Sequence, residues 1–86
     1  MYFVYIVKCS DETLYTGIAS NLKRRIEEHN SSKLGAKYTK IRRPVKLVYS
    51  KEFNDRSSAQ IEEARIKKLS RNKKLDFISR NKDALD

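Results

Sequence analysis

Eighty-six residues suffice for one small domain, which buries only ~60% of the surface its unfolded chain exposes. Twenty Lys and Arg against eleven Asp and Glu give a net charge of +9, and the excess is concentrated: residues 23–51 carry ten basic and two acidic side chains, residues 52–86 nine and seven. A lone Cys9 and a lone His29 exclude an internal disulfide, a cysteine-rich zinc site and a multi-histidine metal site, and no apolar run has the length of a membrane span or the form of a signal peptide, so a cytoplasmic protein is expected.

From Met1 to Lys8 the chain alternates Tyr2, Val4 and Ile6 with Phe3, Tyr5 and Val7. Both sets are apolar or aromatic, which predicts a central strand covered on both faces. Ser10-Asp11-Glu12 is turn material, and Thr13 to Gly17 returns as a second strand. If the loop holds an odd number of residues, Tyr5 and Tyr15 share a face. Gly17 is expected to end that strand with a backbone turn, and Ser20 or Asn21 to cap a helix. Leu22 and Ile26 form the helix's buried stripe, Arg25 and His29 sit at the stripe's edge, and Arg24, Glu27 and Glu28 turn outward. Ser31 to Arg43 has no clean period and reads as a basic loop with at most one helical turn, ended by Pro44. Val45 to Tyr49 reads as a third strand with Phe53 packed near its end. Asp55 to Ser58 offers caps for a helix to about Ser70, with Ala59, Ile61, Ala64, Ile66 and Leu69 wrapped broadly around it. Arg71 to Arg80 reads as a last helix, leaving residues 81–86 as a frayed tail.

The basic block is the electrostatic footprint of a polyanion-binding face, with nucleic acid favoured over a merely solvated surface. A lipid surface is disfavoured, since Leu75, Phe77 and Ile78 make the nearest approach to an amphipathic membrane helix. A buried tyrosine is ordinarily core, but two in a hairpin that feeds a helix bearing Arg25 and His29 suit phosphodiester chemistry. Free tyrosine has a pKa of about 10, so acting as a base requires nearby cations. Arg25 can clamp a phosphate and offset charge in the transition state. Glu62 and Glu63 lie beside the buried face of their helix and need a cation, a hydrogen-bonding partner or a metal. Helical position alone does not separate them, and a salt bridge to Arg65 or Lys67 is the simpler fate.

Phe3-Val4-Tyr5, Tyr15-Thr16-Gly17 and Asn21-Leu22-x-x-Arg25-x-x-x-His29, in that order and spacing, resemble the GIY-YIG nuclease domain. Gly35-Ala36-Lys37-Tyr38-Thr39, Arg43-Pro44-Val45 and Leu47-Val48-Tyr49 are similar to the segments that follow in its small stand-alone bacterial members. Phe3 stands where the first motif has glycine and Thr16 where the second has isoleucine; neither change removes a chemical group. The resemblance extends over residues 1–80. It implies an α+β fold, a three-stranded antiparallel sheet flanked by helices, and a metal-dependent endonuclease site. Glu63-x-Arg65-Ile66-Lys67 resembles the helix that carries the metal-binding glutamate, which selects Glu63 to hold one Mg²⁺ or Mn²⁺. Tyr5 or Tyr15 would deprotonate water, Arg25 would offset phosphate charge and His29 would assist. Lys23, Arg24, Lys37, Lys40, Arg42 and Arg43 would hold backbone phosphates, DNA more readily than RNA, in repair or recombination. So small a chain would rely on DNA shape, a recruiting protein partner or a homodimer to find its site. The alternatives are a non-catalytic nucleic-acid-binding module with the same fold and an RNA-directed or accessory role.

Overall fold

A computed structural model of the protein describes residues 1–31 and 33–81. Its elements are β1 (Tyr2–Lys8), β2 (Leu14–Ala19), α1 (Leu22–Ser31), α2 (Lys37–Lys40), β3 (Lys46–Phe53), α3 (Arg56–Lys67) and α4 (Arg71–Arg80). The strands form one antiparallel sheet in the order β2-β1-β3, so the strand with two apolar faces is the central one. Val4, Ile6, Tyr49, Ala59 and Ile66 form a core between the sheet and α3, with Phe77 and Ile78 of α4 packed against it. Tyr5, Val7, Cys9 and Val45 lie on the other face, under Leu22 and Ile26 of α1. Each large side chain so buried contributes roughly 1.5–3 kcal/mol.

Pairing between β1 and β3 slips once: Ile6 faces Tyr49, but Val7 faces Leu47. Val48 is the extra residue of a β-bulge. Leu47 and Tyr49, two apart and nominally on one face, therefore pack on opposite sides of the sheet. Both α3 and α4 start on a side-chain cap, Asp55 accepting from Ser58 N–H and Ser70 from Lys73 N–H.

Several expectations need correction. The second strand runs through Gly17 to Ala19, and the third begins at Lys46 and continues to Phe53. The 31–43 segment, by contrast, is as expected, an irregular stretch with one helical turn, α2. On α3 only Ala59 and Ile66 are buried, and Ile61 is 72% exposed. So narrow a stripe suffices because Phe77 and Ile78 of α4 cover more of the same core. Of the tail expected to fray, residues 82–86 lie outside the described residues, and the Asn81 N–H caps α4 by donating to the Phe77 and Ile78 carbonyls. Among the described residues no helix is long and apolar enough to cross a membrane.

Candidate active site

The loop between β1 and β2 holds five residues, 9–13, and the odd number puts Tyr5 and Tyr15 on the same face. Tyr5 lies opposite Gly17, and Tyr15 opposite Val7. Gly17 is thus not a turn at the strand's end. It sits in mid-strand without a positive φ, and the Tyr5 ring lies across it. A Cβ there would stand 2.6 Å from the Tyr5 hydroxyl oxygen and 2.8 Å from Cζ. Glycine is required for close approach, so that a strand-borne phenol can lie over its neighbour.

Asn21 Oδ1 accepts from Arg24 N–H and starts α1, and Leu22 and Ile26 seat the helix on the Tyr5 face. The register then brings Arg25 and His29 toward the tyrosines. His29 is 0% exposed, not at the edge of the buried stripe. Its Nε2 lies 2.7 Å from Tyr5 Oη and its Nδ1 2.7 Å from Thr39 Oγ1. Tyr15 meets the imidazole edge-on, with centroids 5.3 Å apart, and stacks on Tyr38 at 5.9 Å. The Arg42 guanidinium sits 3.9 Å from the Tyr38 ring centroid.

The segment after α1 closes this arrangement. A Cβ on Gly35 would fall 2.5 Å from Glu28 O, so glycine lets the chain lie directly against the helix. That approach lets Leu34 O accept from Arg25 Nη1 at 2.8 Å and brings Thr39 to His29. Arg43 donates through Nε to His29 O and through Nη2 to Glu28 O, satisfying carbonyls near the helix end. Asn30 clasps Val45 with two bonds, 2.6 Å to its N–H and 3.1 Å to its C=O, and so ties α1 to the entry of β3. Sequence pattern assigns no such role to Thr39 or Gly35, which lie in a segment without periodicity, nor to Asn30 of α1, whose partner Val45 lies beyond that segment.

Burial above all keeps the two central groups neutral. Burial pushes the Tyr5 phenol up to about 12; a hydrogen bond and charge from Arg25 oppose this, while Tyr15 and Glu63 add to it. Burial, then the positive charges of Arg25 and Arg43, pull His29 down to about 4 against the opposing pull of Glu28. The shared proton therefore rests on Tyr5, and neither a standing phenolate nor an imidazolium is present near neutral pH. Burial works against the Arg25 charge, but Glu28 and Tyr5 more than offset it and hold its pKa above the ordinary value. Glu28, expected to face outward, is half-buried, its Oε1 taking Arg25 at 2.9 Å and its Oε2 taking Arg24 at 3.2 Å. A cavity of about 270 Å³ opens against Arg25, lined by Ser20, Asn21, Arg24 and Glu28 among others.

The two candidate glutamates of α3 differ. Glu62 is locked by a two-bond fork from Arg65, at 2.7 and 2.9 Å, and its charge is felt by Tyr49. Among the described residues Glu63 has one ion-pair partner, Lys67 at 3.2 Å, and its charge is felt by Tyr5. Among the described residues no three His, Cys, Asp or Glu gather into a metal cage. The donor set suits a hard divalent ion that takes one carboxylate oxygen and completes its shell with water and substrate phosphate.

The six basic residues expected to hold phosphates fall into two groups. Lys23, Lys37 and Lys40 are exposed and make no ion pair among the described residues. Arg24 is paired with Glu28, Arg42 with Asp11 at 3.0 Å, and Arg43 holds the α1 carbonyls.

A family model described as the GIY-YIG catalytic domain matches residues 1–76. A UPF0213 protein of Syntrophus aciditrophicus is 52% identical over 83 residues, covering 96% of this chain and 95% of its own. One from Clostridium perfringens is 56% identical over 79 residues, covering 92% and 84%. Among solved structures, the solution NMR structure of a UPF0213 protein from Bacillus halodurans superposes with a TM-score of 0.63 at 40% identity, covering 95% of this chain and 87% of that one. With the paired motif tyrosines, the helix-borne Arg25 and His29, and a sheet of this topology, the chain belongs to the GIY-YIG family of nuclease-type catalytic domains, alongside small UPF0213 proteins.

Proposed function

We propose that the protein is a divalent-metal-dependent endonuclease that hydrolyses phosphodiester bonds in DNA, acting on repair or recombination intermediates. The observation that carries this is the 2.7 Å bond from Tyr5 Oη to His29 Nε2, beside the half-buried Arg25 guanidinium. A phenol with a pKa near 12 is a poor base alone. Placed against a bare imidazole nitrogen, it can accept a proton from water as it passes its own to Nε2. Water oxygen then forms the bond to phosphorus as the bond to the 3′ oxygen breaks; the proton ends on His29, and the leaving alkoxide takes one from solvent. Arg25 offsets charge gathering on the phosphate oxygens, which requires it to exchange Leu34 O or Glu28 for substrate. Tyr15, half-exposed, edge-on to His29 and stacked on Tyr38, orients the water. A Mg²⁺ or Mn²⁺ held by Glu63 would supply Lewis-acid stabilisation of the leaving oxygen. Lys23, Lys37 and Lys40 supply the exposed cations for the backbone phosphates.

A second reading, a nucleic-acid-binding module without catalysis, is favoured by one observation: Arg25 and Glu63 are each engaged by internal partners. A nicking assay separates the two, using Mg²⁺ or Mn²⁺ and labelled duplex, flap, branched and single-stranded DNA and RNA. The nuclease reading expects metal-dependent cutting that Glu63→Ala abolishes without lowering the melting temperature. Equal binding and no cutting by both proteins would sink it in favour of the binding module.

A further inference from the structure

The two hydrogen bonds of His29 are not equivalent, and their chemistry fixes where its proton lies. Thr39 Oγ1, 2.7 Å from Nδ1, also donates to Ala36 O at 2.9 Å. A hydroxyl has one proton. With that proton on the carbonyl, Thr39 can only accept, so Nδ1 must carry the hydrogen. A neutral imidazole carries one N–H, which leaves Nε2 bare toward Tyr5. The phenol leads to the same assignment independently. Tyr5 is 1% exposed, and among the described residues its hydroxyl is hydrogen-bonded to His29 Nε2, with the Arg25 charge bearing on it. Arginine offers no acceptor. Were Nε2 the donor, the buried Tyr5 O–H would have no acceptor among the described residues, a cost of roughly 1–3 kcal/mol.

We propose that Thr39 is the positioning residue that holds His29 in its Nδ1–H tautomer and so gives the Tyr5–His29 bond its direction, from phenol to imidazole. The fold is built to bring it there. Thr39 is fully buried on the single turn of α2, and Gly35 lets that turn approach α1 closely enough to reach the ring. The hydroxyl does for the imidazole what a carboxylate or carbonyl does elsewhere: it fixes which nitrogen is free to take a proton and steadies the cation once it forms. Serine would serve as well; valine has the same shape and no acceptor. The consequence for catalysis rests on the nuclease reading, but the tautomer does not.

His29 is the only histidine, so histidine-labelled full-length protein gives one imidazole, and a long-range ¹H–¹⁵N correlation at neutral pH reports both its nitrogens unambiguously. Wild type and Thr39→Ser should show Nδ1 protonated and Nε2 bare. Tyr5→Phe, which leaves Thr39 in place, should keep that pattern. Thr39→Val should lose it, giving a mixture or the opposite tautomer. An Nε2–H pattern in wild type or a reversal caused by Tyr5→Phe would overturn the tautomer assignment, and an unchanged pattern in Thr39→Val would overturn Thr39 as the residue that sets it. The wild-type and Tyr5→Phe spectra decide the matter even if Thr39→Val fails to fold. In cleavage, Thr39→Val should lower kcat by roughly 100-fold or more with little change in KM, and Thr39→Ser should restore it. A tautomer lost without loss of kcat would remove Thr39 from the reaction. The predicted tautomers with no cutting by any protein would instead remove the nuclease reading and leave the Thr39 assignment standing.

Discussion

The two faces of the sheet are built from alternate residues of one strand, yet they solve different problems. Val4 and Ile6 point into a core closed by Ala59, Ile66 and Tyr49, where the polar load is light. Among the described residues, the one buried side-chain N or O atom without a hydrogen-bond partner is Thr16 Oγ1, opposite Ile6, where an isoleucine would leave nothing unsatisfied. Tyr5 and Val7 point the other way, into a face that buries a histidine, a threonine and part of an arginine. There the buried polar atoms are bonded, and each bond depends on a neighbour in another segment: Tyr5 on α1, His29 on α2, Arg25 on the 34–36 turn. The first face holds the domain together. The second holds a proton in a defined place. A packed apolar face tolerates volume-conserving change, while a satisfied polar network fails at the loss of one atom.

This contrast can be broken from either side. The largest effect is expected from Tyr5→Phe, which removes one oxygen from the polar face. Cleavage should fall roughly 10²- to 10⁴-fold, while stability should fall only by about 1–3 kcal/mol, the cost of leaving the buried His29 Nε2 without its donor, because the ring still covers Gly17. Ile66→Ala should do the reverse, lowering stability by about 2–5 kcal/mol in denaturant titrations, with activity retained at temperatures where the protein stays folded. Gly17→Ala attacks the seam between strand and phenol. Its Cβ drives against Tyr5, which should cost about 1–3 kcal/mol and displace the Tyr5 hydroxyl, so stability and cleavage fall together.

Smaller effects sharpen the picture. Replacing Lys23, Lys37 and Lys40 by glutamine should reduce the slope of log K against log salt by up to about 0.9 for each phosphate no longer neutralised. Arg43→Gln should instead lower the melting temperature, because its partners are the His29 and Glu28 carbonyls. The smallest effect concerns pH. The folded pKa of His29 is depressed to about 4 from 6.5, so the unfolded chain takes up its proton first. The contribution of His29 is fully present above 6.5 and is lost as pH falls from there toward about 4. For the same reason the rate profile should show no acid limb at the pH where a free histidine titrates. A limb there would mean that water reaches the His29 ring.

Much of this is legible in the chain. Apolar residues at every position of Val4–Val7 require a central strand, and the motif spacing picks out Tyr5, Tyr15, Arg25 and His29. What escapes has identifiable physical causes. Gly17 reads as a strand terminator because glycine ends strands more often than it underlies a tyrosine, and only the register shows the ring above it. The bulge at Val48 hides the true length of β3, since it breaks the alternation on which strand reading depends. Thr39, Asn30 and Arg43 act on residues at least ten positions away, through an irregular segment with no period to read. Local pattern cannot report a bond whose two ends meet only after the sheet and α1 have docked.

The most direct test of the central claim, that the polar face is a nuclease site, is a side-by-side nicking assay of wild type and Glu63→Ala. Both would be purified identically and given Mn²⁺ with a labelled panel of duplex, flap and branched DNA. Metal-dependent cutting by wild type, absent from a folded Glu63→Ala protein, is the predicted result. No cutting on any substrate, or cutting that persists undiminished in Glu63→Ala, would contradict it.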